Sequence, residues 1–225
     1  LTESLLRFKI RVQVDVEDRS DTWAVIAVRG PGAPAALRTA GVDPPAELHA
    51  HTRWSDALVV GADWPGSAGV DVVGPRRELA RHSEALQDAG VVVVDEDAYE
   101  AVRVEAGVPR QTRDFDDKLI PQEAFLDRDA ISFSKGCFLG QELVTRIDTR
   151  GHVNRYLRGV RLSASAAVGA DVVAADKTVG VLTSVAQSPA LGPIALAFVR
   201  REAEPPAAVT VDGAPAMVEE LPLVR

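Results

Sequence analysis

Apolar and polar residues alternate almost without fault over residues 6–17, L-R-F-K-I-R-V-Q-V-D-V-E, which puts Phe8, Ile10, Val12, Val14 and Val16 on one face. A period of two marks a half-buried strand. D-R-S-D then turns the chain into T-W-A-V-I-A-V-R-G, which reads as a second strand and the hairpin partner of the first. After P-G-A-P the pattern predicts a short helix over Ala35–Ala40, closed by Gly41. Two short strands follow, Leu58–Gly61 and Val70–Val73, on either side of W-P-G-S-A-G. Pro75 stands at a helix start, Leu79, His82, Leu86 and Ala89 keep helical spacing, and Gly90 stops the helix. V-V-V-V-D from Val91 reads as a buried strand. Two hairpins and two helices in this order predict a small α+β sandwich over residues 1–98, with helices on one face of an antiparallel sheet.

Residues 99–152 change character. Polar loops surround two short helices and carry the densest set of unusual residue choices. From Val153 the pattern is strand and turn to the end, with Asp212-Gly213 between apolar runs as a hairpin turn and Pro205-Pro206 as a stiff connection. Several short strands at regular spacing predict a small barrel or sandwich over residues 153–225. No internal repeat or low-complexity tract is visible.

The chain has 225 residues, 46% hydrophobic and 26% charged, with a net charge of −8. An acidic surface argues against non-specific nucleic-acid binding, although not against a local basic patch. No apolar run is long enough to span a bilayer, and no secretory leader opens the chain, so a cytoplasmic protein that engages no membrane is expected. Leu1 rather than Met opens the sequence, and a fragment is expected. The single cysteine cannot form an internal disulfide, and His49, His51, His82 and His152 show no zinc-like spacing with it, so no metal site is expected.

Three features carry candidate chemistry. In V-R-V-E-A-G-V-P, residues 102–109, Asp97 is placed to cap a helix, Glu100 sits at the capping-box position, and Gly107 with Pro109 ends it. Glu105 then lies in the last turn, where the helix dipole disfavours a carboxylate by a few tenths of a kcal/mol, on the order of 0.3 or more. Compensation comes either from Arg103 and a solvated surface or from a ligand that donates hydrogen bonds. In S-K-G-C-F-L-G-Q-E-L-V-T-R, Leu139, Leu143, Val144 and Ile147 keep helical spacing, so a helix is expected to start near Cys137 or Phe138. Cys137 would sit at a positive helix end with Lys135 two residues away, a setting that favours thiolate. Gly136 and Gly140 leave room for close backbone approach, and Glu142 can pair with Arg146. The competing reading is a small buried cysteine packed between helices. Third, Arg146, Arg150, Arg155, Arg158 and Arg161 cluster with only Asp148 against them. They could hold an anionic tail or an RNA phosphate, or simply solvate a strand face. Trp23, Trp54 and Trp64 are read as core or loop anchors. No nucleotide-binding glycine loop, nucleophile elbow or spaced acid pair is present.

V-R-V-E-A-G-V-P, I-P-Q-E-A-F-L-D, S-K-G-C-F-L-G-Q-E-L-V-T-R-I-D-T-R-G-H-V and A-L-G-P-I-A-L-A-F-V together resemble the YgfZ-type, folate-binding branch of the glycine-cleavage T-protein (aminomethyltransferase) superfamily. The resemblance covers most of residues 99–200. It implies an α+β, T-protein-like multidomain arrangement, with a ferredoxin-like α/β sandwich, a segment of the first domain at 99–152, and a C-terminal antiparallel β-barrel. It implies non-covalent tetrahydrofolate, or a one-carbon derivative, as cofactor, and iron–sulfur enzymes, some of them tRNA-modifying, as clients. Weak RNA contact through Arg146, Arg150, Arg155 and Arg158 is a further expectation. Glu105 matches the glutamate that hydrogen-bonds the pterin, and Arg103, Gly136, Gly140, Gln141 and Arg146 complete the expected folate set. Cys137 and Lys135 match the signature cysteine and lysine of the branch, which makes Cys137 a redox or sulfur-handling thiol. The T-protein carries a different residue at the cysteine position. The segment that supplies its catalytic aspartate is not in this chain, so the resemblance leaves open a second function, folate-dependent aminomethyl or one-carbon transfer.

Overall fold

The computed structural model describes residues 2–8, 13–138 and 140–224. They form two compact units, residues 1–93 and 94–225.

In the first unit, helix α1 (Thr2–Phe8) precedes strand β1 (Trp23–Arg29), helix α2 (Ala33–Thr39), strands β2 (His51–Trp54), β3 (Ala57–Gly61) and β4 (Gly69–Pro75), and helix α3 (Arg76–Asp88). The sheet order is β1-β4-β3-β2, antiparallel throughout. Ala57 and Val59 of β3 and Val70 and Val72 of β4 alternate onto the buried face, where Leu37 of α2 and Leu79 and Leu86 of α3 pack on them. His82 shares that buried stripe of α3, with its ring nitrogens 2.9 and 3.1 Å from the carbonyl oxygens of Glu78 and Trp54. The run β1-α2-β3-β4-α3 follows the order of a ferredoxin-like sandwich, with β2 added at the β3 edge.

Two expectations in this unit are corrected, and one strand was not foreseen. The alternating segment 6–17 forms no strand where it is described: Leu6–Phe8 belong to α1 and residues 13–17 form no ladder, while residues 9–12, with Ile10 and Val12, lie outside the described residues. A strand needs a partner for its backbone groups, and β1 takes β4, with Trp23 opposite Pro75, rather than the preceding segment. The segment from Val91 is not a buried strand either, since Val92, Val93 and Val94 are 78%, 69% and 59% exposed. An apolar run bounded by a helix stop is ambiguous on periodicity alone. Finally, β2 escaped the sequence reading because H-T-R-W carries only one strongly apolar side chain.

In the second unit, helix α4 (Glu96–Ala106) leads through a 3₁₀ turn (Pro121–Ala124) to helix α5 (Gln141–Arg150) and then six strands: β5 (Arg155–Leu162), β6 (Asp171–Ala174), β7 (Lys177–Ser188), β8 (Gly192–Arg200), β9 (Ala207–Val211) and β10 (Ala214–Glu219). They close into an antiparallel barrel in the order β10-β5-β8-β7-β6-β9. Asp212 (φ 49°) and Gly213 (φ 78°) make the expected tight turn between β9 and β10. Strand β8 explains its own continuous apolar sequence. Ala195, Ala197 and Val199 face the barrel interior, while Ile194, Leu196 and Phe198 face outward under Val104 of α4 and Ala124 of the 3₁₀ turn. A strand covered on both faces has no need of polar alternation. Among the described residues, no helix is long and apolar enough to cross a membrane.

Candidate functional site

Helix α4 is built to bury one face and offer another. Asp95 caps it, its carboxylate accepting from Ala98 N at 2.9 Å, and Gly107 (φ 74°) ends it in the left-handed conformation. The cap therefore falls on Asp95 rather than on Asp97, which occupies the first turn. The inward face carries Glu100, Ala101, Arg103, Val104 and Ala106.

Arg103 is 2% exposed, and all five of its N–H donors are used within the protein. Nε and Nη2 donate to the two Glu100 oxygens at 2.9 and 2.7 Å. Nη1 donates to Val108 O at 2.6 Å and to Asp114 Oδ2 at 2.8 Å, and Nη2 also donates to Ser184 Oγ at 2.6 Å. Asp114 Oδ1 in turn accepts from Thr183 Oγ1 and Ser184 Oγ of β7. This network bolts α4 to the barrel. Burial alone would raise the Glu100 pKa; the hydrogen bonds and charge of Arg103, with Arg113 and Arg110, outweigh it and hold the carboxyl below its ordinary range. For Arg103, burial pulls the other way from Glu100 and Asp114, and the carboxylates win, raising it.

Glu105, two residues beyond Arg103, is half-buried. Among the described residues its side chain has no hydrogen-bond or ion-pair partner. It lines an open cavity of about 1040 Å³ between α4, the loop after β5 and the β7–β8 hairpin. The neighbouring charges on the wall are Glu96, Asp97, Glu100 and Arg113, and Val185 and Pro193 supply apolar surface. An unpaired, half-desolvated carboxylate in a helix's last turn is a favourable acceptor for a ligand that brings its own N–H donors.

The K-G-C-F-L-G-Q-E segment is placed differently from expectation. Helix α5 begins at Gln141, because Gly140 holds φ +84°, and a right-handed helix does not continue back through that conformation. Cys137 is therefore four residues before the helix rather than at its first turn, and it is free and exposed. Gln141 Oε1 accepts from Phe138 N at 3.1 Å, and Lys135 Nζ lies 5.3 Å from the Phe138 ring centre. A Cβ on Gly136 or Gly140 would meet nothing within 4 Å, so neither glycine is held by close packing. Gln141 and Arg146 line a separate surface depression with Thr145 and Arg150. No described residue from Lys135 to Arg146 lines the Glu105 cavity.

No family model matches the chain. The aminomethyltransferase of Streptomyces avermitilis is 31% identical over 200 residues, covering 82% of this chain and 54% of that protein. That of Synechococcus elongatus is 33% identical over 191 residues, 81% of this chain and 51% of the relative. The chain belongs to the aminomethyltransferase superfamily. A solved structure, the glycine cleavage system aminomethyltransferase T from Bartonella henselae, matches with a TM-score of 0.77 over 90% of this chain and 60% of that one, at 23% identity. The fold is thus the α+β, T-protein-like one with its C-terminal antiparallel barrel. The chain spans about half the length of the aminomethyltransferases it matches.

Within this aminomethyltransferase-type fold the arginine cluster is less bare than its sequence implied. Arg155 pairs with Glu123 at 3.0 Å, Arg158 with Glu220 at 3.2 Å, and Arg161 with Glu219 at 3.6 Å. Asp148 is not their only counter-charge, since the opposing glutamates come from the 3₁₀ turn and the end of β10. Arg146 and Arg150 remain exposed and without a partner among the described residues, and the expected pair of Glu142 with Arg146 does not form. Sequence reading passed over Asp114, Thr183 and Ser184. The D-F-D-D run around Asp114 was visible, but nothing local marks a serine on a distant strand as its partner.

Proposed function

We propose that this chain is the tetrahydrofolate-binding part of a protein that handles one-carbon units on folate, with Glu105 as the carboxylate that accepts hydrogen bonds from the pterin ring. The carrying observation is the contrast within α4: Glu100 is fully consumed by arginines, whereas Glu105 is half-buried, unpaired and turned to a cavity. A cavity near 1040 Å³ suits a ligand of this size. The acceptor-only carboxylate suits a heterocycle rich in N–H donors. Tetrahydrofolate, when bound, supplies the nitrogen that carries the one-carbon unit. Glu105 orients the ring, Arg103 acts only at one remove by fixing the helix, and Val185 and Pro193 keep water from the apolar side. The similarity to aminomethyltransferases favours one-carbon transfer as the activity of the whole protein.

A second reading rests on a different observation, the free and exposed Cys137 beside Gly136, with Lys135 two residues away. In it the protein serves iron–sulfur enzymes, including tRNA-modifying ones, and Cys137 is a redox or sulfur-handling thiol. Gln141 closes that loop by accepting from Phe138 N, and Arg146 with Arg150 offers anion or RNA contact.

Titration with tetrahydrofolate separates these roles. Glu105→Ala is expected to weaken binding by roughly tenfold to a hundredfold, the worth of one or two charge-assisted hydrogen bonds. Unchanged affinity would sink the pterin assignment. Cys137→Ala should leave affinity within about twofold, since that residue lies outside the cavity. If the same variant also fully supports a client iron–sulfur enzyme, the thiol role is lost.

A further inference from the structure

The last turn of α4 is tied down by the far end of the chain. Two of its terminal carbonyls are capped locally: Val108 N donates to Arg103 O and Gly107 N to Val104 O, each at 3.1 Å. The Glu105 carbonyl instead accepts from Leu223 N at 2.7 Å. Leu223 belongs to the tail after β10, which forms no strand.

The tail is seated at two glycines. At Gly107, a Cβ would come within 2.8 Å of three side-chain carbons of Leu221. At Gly159 of β5, a Cβ would collide with Leu223. Both leucines pack with Val104, Leu157, Ile194 and Leu196 between α4 and the barrel wall. A helix's last turn frays when its carbonyls are unsatisfied. A carboxylate there adds an unfavourable interaction with the helix dipole. Without the tail, the residue carrying the candidate carboxylate would lose its only described long-range backbone bond and the apolar cover behind it.

We infer that the C-terminal tail, through Leu221 and Leu223, is the positioning element of the Glu105 site: its docking fixes the last turn of α4 so that the Glu105 carboxylate faces the cavity. The inference rests on the reading of Glu105 as the pterin-binding group. Leu221 and Leu223 are positioning residues that act through the backbone of Glu105.

The test uses the full chain with tetrahydrofolate as probe, in wild type, Glu105→Ala, Leu223→Pro and the Leu223→Pro/Glu105→Ala double variant. A variant ending at Glu220 serves if Leu223→Pro does not fold. Proline removes the donated N–H. The expected result is a loss of roughly tenfold or more for Leu223→Pro, with no further loss in the double variant beyond Glu105→Ala alone. Amide exchange should rise at residues 103–108 while β7 and β8 stay protected. Additive losses, or wild-type affinity with the tail released, would overturn the inference. If wild type does not bind, or Glu105→Ala binds as well as wild type, the functional reading fails instead. Exchange alone then decides the tail: unchanged protection at residues 103–108 after its removal overturns it.

Discussion

Arg103 and Glu105 stand two positions apart on one helix, yet burial gives them opposite uses. Five donated hydrogen bonds leave the guanidinium nothing to offer a ligand, and the sequence reading that put Arg103 among folate contacts had no access to this. Glu100 follows as a spacing of three on the helix, but Asp114 and Ser184 reach Arg103 only through the fold. The network also sets a pH dependence. Glu100 has a folded-state pKa below its unfolded value, which is about 4.3. Its contribution is therefore fully present above that value and is lost as pH falls through the lower, folded value. Glu100→Gln should cost roughly 3 kcal/mol at neutral pH, because it breaks a buried pair. Urea denaturation of both proteins between about pH 7 and pH 3 should show the gap constant down to about pH 5 and narrowing below about pH 4. A gap that widened in acid would mean that the carboxyl is protonated in the folded state.

At the scale of elements, what was legible divides by the kind of information each needs. Helices α3 and α4 were readable because caps, stops and apolar spacing are all local, although the cap of α4 shifted from Asp97 to Asp95. The shift has a measurable consequence. Asp95→Ala should cost about 1 kcal/mol through the lost bond to Ala98 N. Asp97→Ala should cost only a few tenths, roughly 0.3, from the helix dipole alone. Equal losses on thermal melting would put the cap back at Asp97. Strands were less legible, because a ladder belongs to two segments at once. Residues 6–17 have a strand's alternation, yet the described ones, 6–8 and 13–17, form no strand. Strand β8 has no alternation and is a strand buried on both faces. The site shows the same limit. The sequence marked Glu105 and Cys137 as unusual, and the resemblance gave Glu105 to the folate set and made Cys137 a redox or sulfur-handling thiol beside it. The fold puts Glu105 in a cavity whose wall includes no described residue of the cysteine loop.

For the whole molecule, the lining of the Glu105 cavity belongs to one unit alone. Every lining residue, from Glu96 to Ile194, lies in residues 94–225, as do the Arg103 network and the C-terminal tail. That unit has two apolar clusters of its own, one inside the barrel and one between the barrel and α4. A closed barrel also has no open sheet edge that needs outside pairing. At 132 residues (225 − 93) it is well above the length, about 40 residues, below which a core fails without staples. Residues 94–225 expressed alone should therefore melt in one cooperative transition. If the proposed function is right, they should bind tetrahydrofolate within about threefold of the 225-residue chain, since no cavity contact is removed, and a threefold change is only about 0.65 kcal/mol. Calorimetry and a titration on the same preparation test both halves of the claim. Cooperative folding with affinity lower by two orders of magnitude would mean that the first 93 residues carry part of the folate site, and the assignment to the α4 cavity alone would fall.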